Sequence, residues 1–134
     1  MLIEIDLESD LPIYSQLVNQ IIEGIATGHL KPGEGLPSVR TLAADLGINL
    51  HTVNKAYQIL KQKGFVLIHR QKGVVIQPQG IAKADAYFIE GIKETVKPLV
   101  AESICRDISE EEFITYCREL FSYFHKQKGG FSNE

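Results

Sequence analysis

Apolar residues recur at helical spacing in five stretches of this chain, and two short β-rich runs stand between the third and the fourth. Ile13, Leu17, Ile21 and Ile25 step by four, with Tyr14 and Val18 beside them, and predict a first helix ended by Gly28. Ser9 or Asp10 is placed to cap it, and Pro12 suits its first turn. Val39, Leu42, Ala43 and Leu46 line one face of a second helix, with Ser38 as N-cap and Gly47 as its stop. Gly47-Ile48-Asn49 then turns the chain, and Asn49 caps a third helix whose inner face is Val53, Ala56, Tyr57 and Leu60, with Gly64 just past its end. Short helix, short Gly-containing turn, second helix is the helix-turn-helix pattern. Upstream, residues 2 to 7 alternate only in part and predict a short edge strand or an extended arm. The loop from Lys31 to Gly35 returns the chain with a short strand around Leu36.

Phe65 to His69 and Val74 to Ile76 are the β-rich runs, joined by Arg70-Gln71-Lys72-Gly73. A hairpin with two cations at its tip, placed directly after a helix-turn-helix, makes a wing able to touch phosphate or a minor groove. The outward positions of the third helix fit that picture. It opens Asn49, Leu50, His51, Thr52 and then presents Asn54 and Lys55. A recognition helix meets base edges mainly with its N-terminal residues. Asn pairs bidentately with adenine, Thr touches a thymine methyl, and Lys reaches guanine or phosphate. Arg40 lies near the start of the second helix, where the helix dipole gives a cation no help, so a phosphate or base partner would account for it. The plain structural alternatives are a solvated helix face and a surface pair of Arg40 with Glu34 or Asp45. Ser38, Arg40, Asn49, Leu50, His51, Thr52, Asn54, Lys55, Arg70, Lys72 and Gly73 form the candidate DNA-binding set.

Pro78-Gln79-Gly80 reads as a hinge between residues 1–78 and 79–134. Beyond it the pattern is purely helical, with helices at about 82–105 and 109–126. Pro98 lies inside the first and should kink or break it near Val96. Ser109 and Glu112 form a capping box for the second, stapled by Ile108 and Phe113. Residues 126 to 134 are polar and Gly-containing, and are expected to fray. Two helices bearing Tyr87, Phe88, Ile92, Val96, Leu99, Phe113, Tyr116, Leu120 and Phe124 carry more apolar surface than they can bury against each other. A second copy is the economical partner, because a two-fold dimer makes one patch serve twice; packing back onto the chain's own head is the alternative. The fold class expected is α+β: an N-terminal winged helix-turn-helix and a short all-helical C-terminal dimerisation region.

The net charge of −3 argues against a polyanionic partner until it is divided along the chain. Residues 31–80 hold seven cations and two acids, a local charge of +5, whereas residues 1–30 carry −5 and residues 81–134 carry −3. Local polarity decides where an anion sits. Forty-four per cent hydrophobic residues suit a folded, soluble protein; no stretch has the length of a membrane span and no signal peptide opens the chain, so the cytoplasm is expected. Cys105 and Cys117 lack zinc or redox spacing and are expected to be reduced and semi-buried. His29, His51, His69 and His125 form no metal-spaced pair, the loop at Gly33 has no phosphate-binding signature, and no nucleophile elbow is present, so neither an enzyme nor a cofactor is expected.

One resemblance joins these readings. Pro12-Ile13-Tyr14, Gly28 to Gly33, Leu36-Pro37-Ser38-Val39-Arg40, Leu42-Ala43, Leu46-Gly47-Ile48, Thr52-Val53, Ala56-Tyr57, Leu60 and Lys63-Gly64-Phe65 follow one another as in the GntR family of bacterial transcription regulators. Gln71 stands where the family has the first glycine of its wing turn, and Val74-Val75-Ile76 replaces Thr-Phe-Val. The tail, with Leu99-Val100-Ala101-Glu102 and Ile108 to Glu112, resembles that of the YtrA subfamily. The resemblance implies a homodimeric repressor of its own operon or of a transporter operon, bound to an inverted-repeat operator through Arg40 and the recognition helix. Any small effector would have to fit between the dimer helices. The competing function is a winged helix used as a protein-interaction module that modulates another regulator.

Overall fold

Among the residues described by the computed structural model, 2–132 with side chains to Lys128, helices and strands follow the order α1 (Ile13–Ala26), α2 (Val39–Leu46), α3 (Leu50–Gln62), β1 (Val66–His69), β2 (Gly73–Ile76), α4 (Ala86–Cys105) and α5 (Glu110–Ser132). The first segment is the extended arm rather than a strand. Gln20 exchanges two hydrogen bonds with the backbone of Glu4 (2.6 and 3.0 Å), and Gln16 does the same with Asp6 (both 2.9 Å). Side-chain amides thus satisfy backbone groups that a neighbouring strand would otherwise take. Neither Ser9 nor Asp10 caps α1. Pro12 precedes the helix with φ −54° and no side-chain cap, and the Ser9 hydroxyl accepts from the Leu11 N–H at 3.1 Å instead.

The helix-turn-helix closes as the pattern requires. Ser38 Oγ accepts from the Thr41 N–H at 3.1 Å to start α2, and Asn49 Oδ1 accepts from the His51 N–H at 2.7 Å to start α3. Gly47, at φ +66°, ends α2 in the left-handed conformation that a residue with a Cβ adopts only at a cost. α1, α3 and the α2 face then meet. Leu17, Val18, Ile21, Leu42, Ala43, Val53, Ala56, Tyr57 and Leu60 pack with Leu30, Leu36, Val66, Val74 and Ile76 into one core. Full burial of each large member contributes about 1.5–3 kcal/mol. Tyr57 is 1% exposed, and its hydroxyl donates to the Pro37 carbonyl at 2.7 Å, tying α3 to the loop ahead of α2.

β1 and β2 pair antiparallel in the register Val66↔Ile76 to His69↔Gly73. The short strand expected around Leu36 is reduced to a bridge, Gly35↔Val75, flanked by Leu36 N–H to Val74 O (2.8 Å) and Ile76 N–H to Glu34 O (2.8 Å). These bonds seat the wing on the loop before α2.

The tail departs from expectation at several points. α4 begins at Ala86 rather than near 82, because Asp85 supplies the cap: its Oδ1 accepts from the Phe88 N–H at 2.8 Å. The helix runs unbroken through Pro98 to Cys105. The capping box forms in both directions, Glu112 N–H to Ser109 Oγ (3.1 Å) and Ser109 N–H to Glu112 Oε1 (3.0 Å). α5 continues past residue 126 to Ser132, so the expected fraying does not begin there; Asn133 and Glu134 lie outside the described residues. Cys105 and Cys117 are exposed rather than semi-buried, since nothing in the described chain covers the helix faces that bear them. No helix among the described residues is long and apolar enough to cross a membrane.

Candidate nucleic-acid interface

Burial along α3 divides its residues by task. Val53, Ala56, Tyr57 and Leu60 face the core, Leu50, Thr52 and Ile59 are half-buried, and His51, Asn54, Lys55 and Gln58 are exposed. The exposed set starts within the first turn, where a reading helix needs its polar groups. α2 packs against α3 on one side, and β1 carries the wing beside it.

The candidate side chains are not equally at liberty. Ser38 Oγ is occupied at the start of α2, accepting from the Thr41 N–H and donating to Thr41 Oγ1 at 2.9 Å. The Asn49 carbonyl oxygen is likewise held as a cap. Leu50 packs against the core. Lys55 lays its ammonium 3.9 Å from the centroid of the Tyr14 ring on α1, a cation–π contact that ties the charge to the head. Arg40, His51 and Asn54 remain exposed and, among the described residues, have no side-chain hydrogen bond or ion pair. Neither Glu34 nor Asp45 pairs with Arg40.

At the wing tip, Arg70 and Lys72 are exposed and Gly73 takes φ +74°. His69, absent from the candidate set, closes this turn: its Nδ1 accepts from the N–H groups of both Gln71 and Lys72 at 3.1 Å. Tyr14 packs against the core, as its place beside the apolar stripe predicts, and His69 is a wing residue that the candidate set lacks, although a histidine ending a strand just before a tight turn is a legible signal.

The tail residues fall into two groups. Tyr87 (88% exposed), Phe88, Ile92, Leu99, Tyr116 and Leu120 are exposed, while Val96, Phe113 and Phe124 are half-buried. From Ala86 to Cys105 Ser103 alone is fully buried, so α4 stands out from the head with its apolar face open. α5 folds back until its later turns approach α1, leaving a cavity of about 500 Å³ lined by Glu23, Thr27, His29, Leu30, Tyr123 and Phe124 among others.

The same geometry recurs in known proteins. The bacterial regulatory proteins of the gntR family match residues 13–76, from the start of α1 to the end of the wing. The HTH-type transcriptional repressor YtrA of Bacillus subtilis (strain 168) is 34% identical over 137 residues, an alignment covering 99% of this chain and 100% of that protein. A transcriptional antiterminator from Listeria monocytogenes EGD-e superposes with a TM-score of 0.85 at 27% identity, covering 92% of each chain. YtrA from Sulfolobus acidocaldarius, a GntR-family transcription factor, gives a TM-score of 0.61 at 41% identity over 74% of this chain and 97% of that one.

Proposed function

The chain belongs to the GntR family of transcriptional regulators, which carry a DNA-binding helix-turn-helix and are not enzymes, and from that premise we propose that it reads an inverted-repeat operator in double-stranded DNA as a cytoplasmic homodimer. One observation carries the reading. α3, whose first turns expose His51 and Asn54, packs against α2, which bears the exposed Arg40, and against β1, which leads into the exposed Arg70 and Lys72 of the wing. None of those three cations has a carboxylate partner among the described residues. Unpaired cations around a polar helix start suit phosphates around a base-reading helix. In this reading His51 and Asn54 meet base edges, and Thr52 and Lys55 support them. Arg40, Ser38 and the wing fix register through the backbone. The caps at Ser38 and Asn49 leave those two residues to contact DNA through groups not used in capping.

Dimerisation falls to the open faces of α4 and α5. Apolar surface of this extent in a monomer marks an interaction site. Two copies joined through it would present two α3 helices to half-sites about one helical turn, ~34–36 Å, apart. The 34%-identical relative is named a repressor, and we assign this chain the same sense of regulation, acting on its own operon or a transporter operon. A small effector is placed in the cavity between α1 and α5, where it would touch both head and tail. The open face of α4 also favours the second reading, a module that binds another regulator.

Selection of bound duplexes from a random library, followed by titration of the winner at several salt concentrations, separates the two. The DNA reading requires a two-fold symmetric motif and a log–log salt slope of roughly −0.9 per neutralised phosphate. A protein-interaction module would enrich no motif.

A further inference from the structure

His69 is the last residue of β1, paired with Gly73 across the hairpin, so Arg70, Gln71 and Lys72 are the three residues of the wing tip. A loop this short leaves its backbone N–H groups without ladder partners. Two of them, on Gln71 and Lys72, converge on one atom, His69 Nδ1, each at 3.1 Å. Nδ1 offers a single lone pair, which the two N–H groups share. Among the described residues Asp107 is the sole non-glycine at positive φ, so Gln71 and Lys72 keep ordinary backbone angles, and the left-handed step is confined to Gly73. The tip is therefore folded around an imidazole acceptor and one glycine.

This arrangement decides which groups face outward. The N–H groups of Gln71 and Lys72 point inward to the ring, and Arg70 and Lys72 are left exposed on either side of Gln71. From this geometry we infer that His69 is the positioning residue of the wing. It acts as the side-chain acceptor that fixes the turn, so that Arg70 and Lys72 meet the DNA backbone in one preformed geometry, and it does so without touching DNA itself. The inference rests on the DNA reading for its consequence, though not for the turn. A tip that is already ordered pays no ordering cost on binding; a loose one must stop two flexible cations at the moment of contact.

Three variants of the full-length protein test this, each with two readouts. Amide hydrogen exchange of Gln71 and Lys72 is measured in the free protein by NMR, and operator affinity is measured on the selected duplex. In His69→Ala both amides should exchange faster, on the order of tenfold, while the α3 amides and the melting temperature stay near wild type. Operator affinity should fall about five- to tenfold, similar to the loss in an Arg70→Ala, Lys72→Ala double variant. His69→Asn should restore both readouts to within about twofold, because an Asn carbonyl at the start of a turn accepts from the same N–H groups. Unchanged exchange at Gln71 and Lys72 in His69→Ala would overturn the inference whatever the affinity does. Faster exchange with unchanged affinity would overturn the role of the ordered tip in binding. Restored exchange without restored affinity in His69→Asn would instead assign the imidazole a direct contact. Absence of duplex binding by the wild type would sink the DNA reading, and the exchange data would still judge the turn.

Discussion

Tyr57 serves two neighbours at once, filling the core with its ring and holding the Pro37 carbonyl with its hydroxyl. Tyr57→Phe should cost about 1–2 kcal/mol in urea unfolding, since it leaves a half-buried acceptor unpaired. Burial also pushes the Tyr57 hydroxyl up to about 12 from the ordinary value of 10.0. The native state thus keeps a proton that the unfolded chain releases, and stability should fall as pH rises from 10 toward 12 while this contribution stays constant below 10. The helical spacing assigned Tyr57 to the inner face, but its partner twenty residues earlier depends on a tertiary approach that no spacing encodes. Lys55 and His69 repeat the lesson. Each is placed by a side-chain contact, with Tyr14 or with the turn backbone, although the outward position of Lys55 is readable from the pattern. For Arg40→Ala and Asn54→Ala, gel-shift titrations should separate the roles. The first should weaken matched and scrambled duplexes alike and lower the salt slope by about 1. The second should lose about 1–3 kcal/mol on the matched sequence alone.

The elements are set by their ends. Asn49→Ala should lower stability by about 1 kcal/mol by removing the cap of α3, measurable in the same urea titrations. Ser109 holds the Glu112 carboxyl below its ordinary value, first through its backbone N–H and then through its side chain. The stabilisation of the α5 start is therefore present above the ordinary carboxyl value of 4.5 and lost as pH falls below it; amide exchange in the first turn of α5 should rise accordingly. The caps at Ser38, Asn49 and Ser109 were legible because capping is local chemistry. Asp85 obeys the same rule, yet the apolar residues ahead of it obscured the start of α4. Pro98 was expected to interrupt that helix. It removes one backbone donor, and the Glu94 carbonyl deprived of its partner lies on an exposed stretch where solvent reaches it, so the helix passes through.

At the scale of the molecule, the core and the open apolar faces of α4 and α5 occupy separate parts of the chain. Every fully buried member of the core lies between Leu17 and Ile76, and α4 and α5 add none. The shift from mixed to purely helical patterning suggests a hinge near residue 78 and leaves open whether the tail helices pack on a second copy or back onto the head; α5 does return toward α1, at an angle set by the corner at Arg106–Ser109 rather than by periodicity. Ile92→Glu and Leu99→Glu should yield monomers in sedimentation velocity with the head still folded. They should bind a two-half-site operator about 10²–10⁴-fold more weakly, the loss expected when two linked sites act singly. The most direct test of the central claim, that the start of α3 reads duplex DNA, is a titration of the double variant His51→Ala, Asn54→Ala on a selected operator and its scrambled counterpart at matched salt. The expected result is at least a tenfold loss on the operator with unchanged, salt-sensitive binding to the scrambled duplex. Equal losses on both duplexes, or none on either, would contradict it.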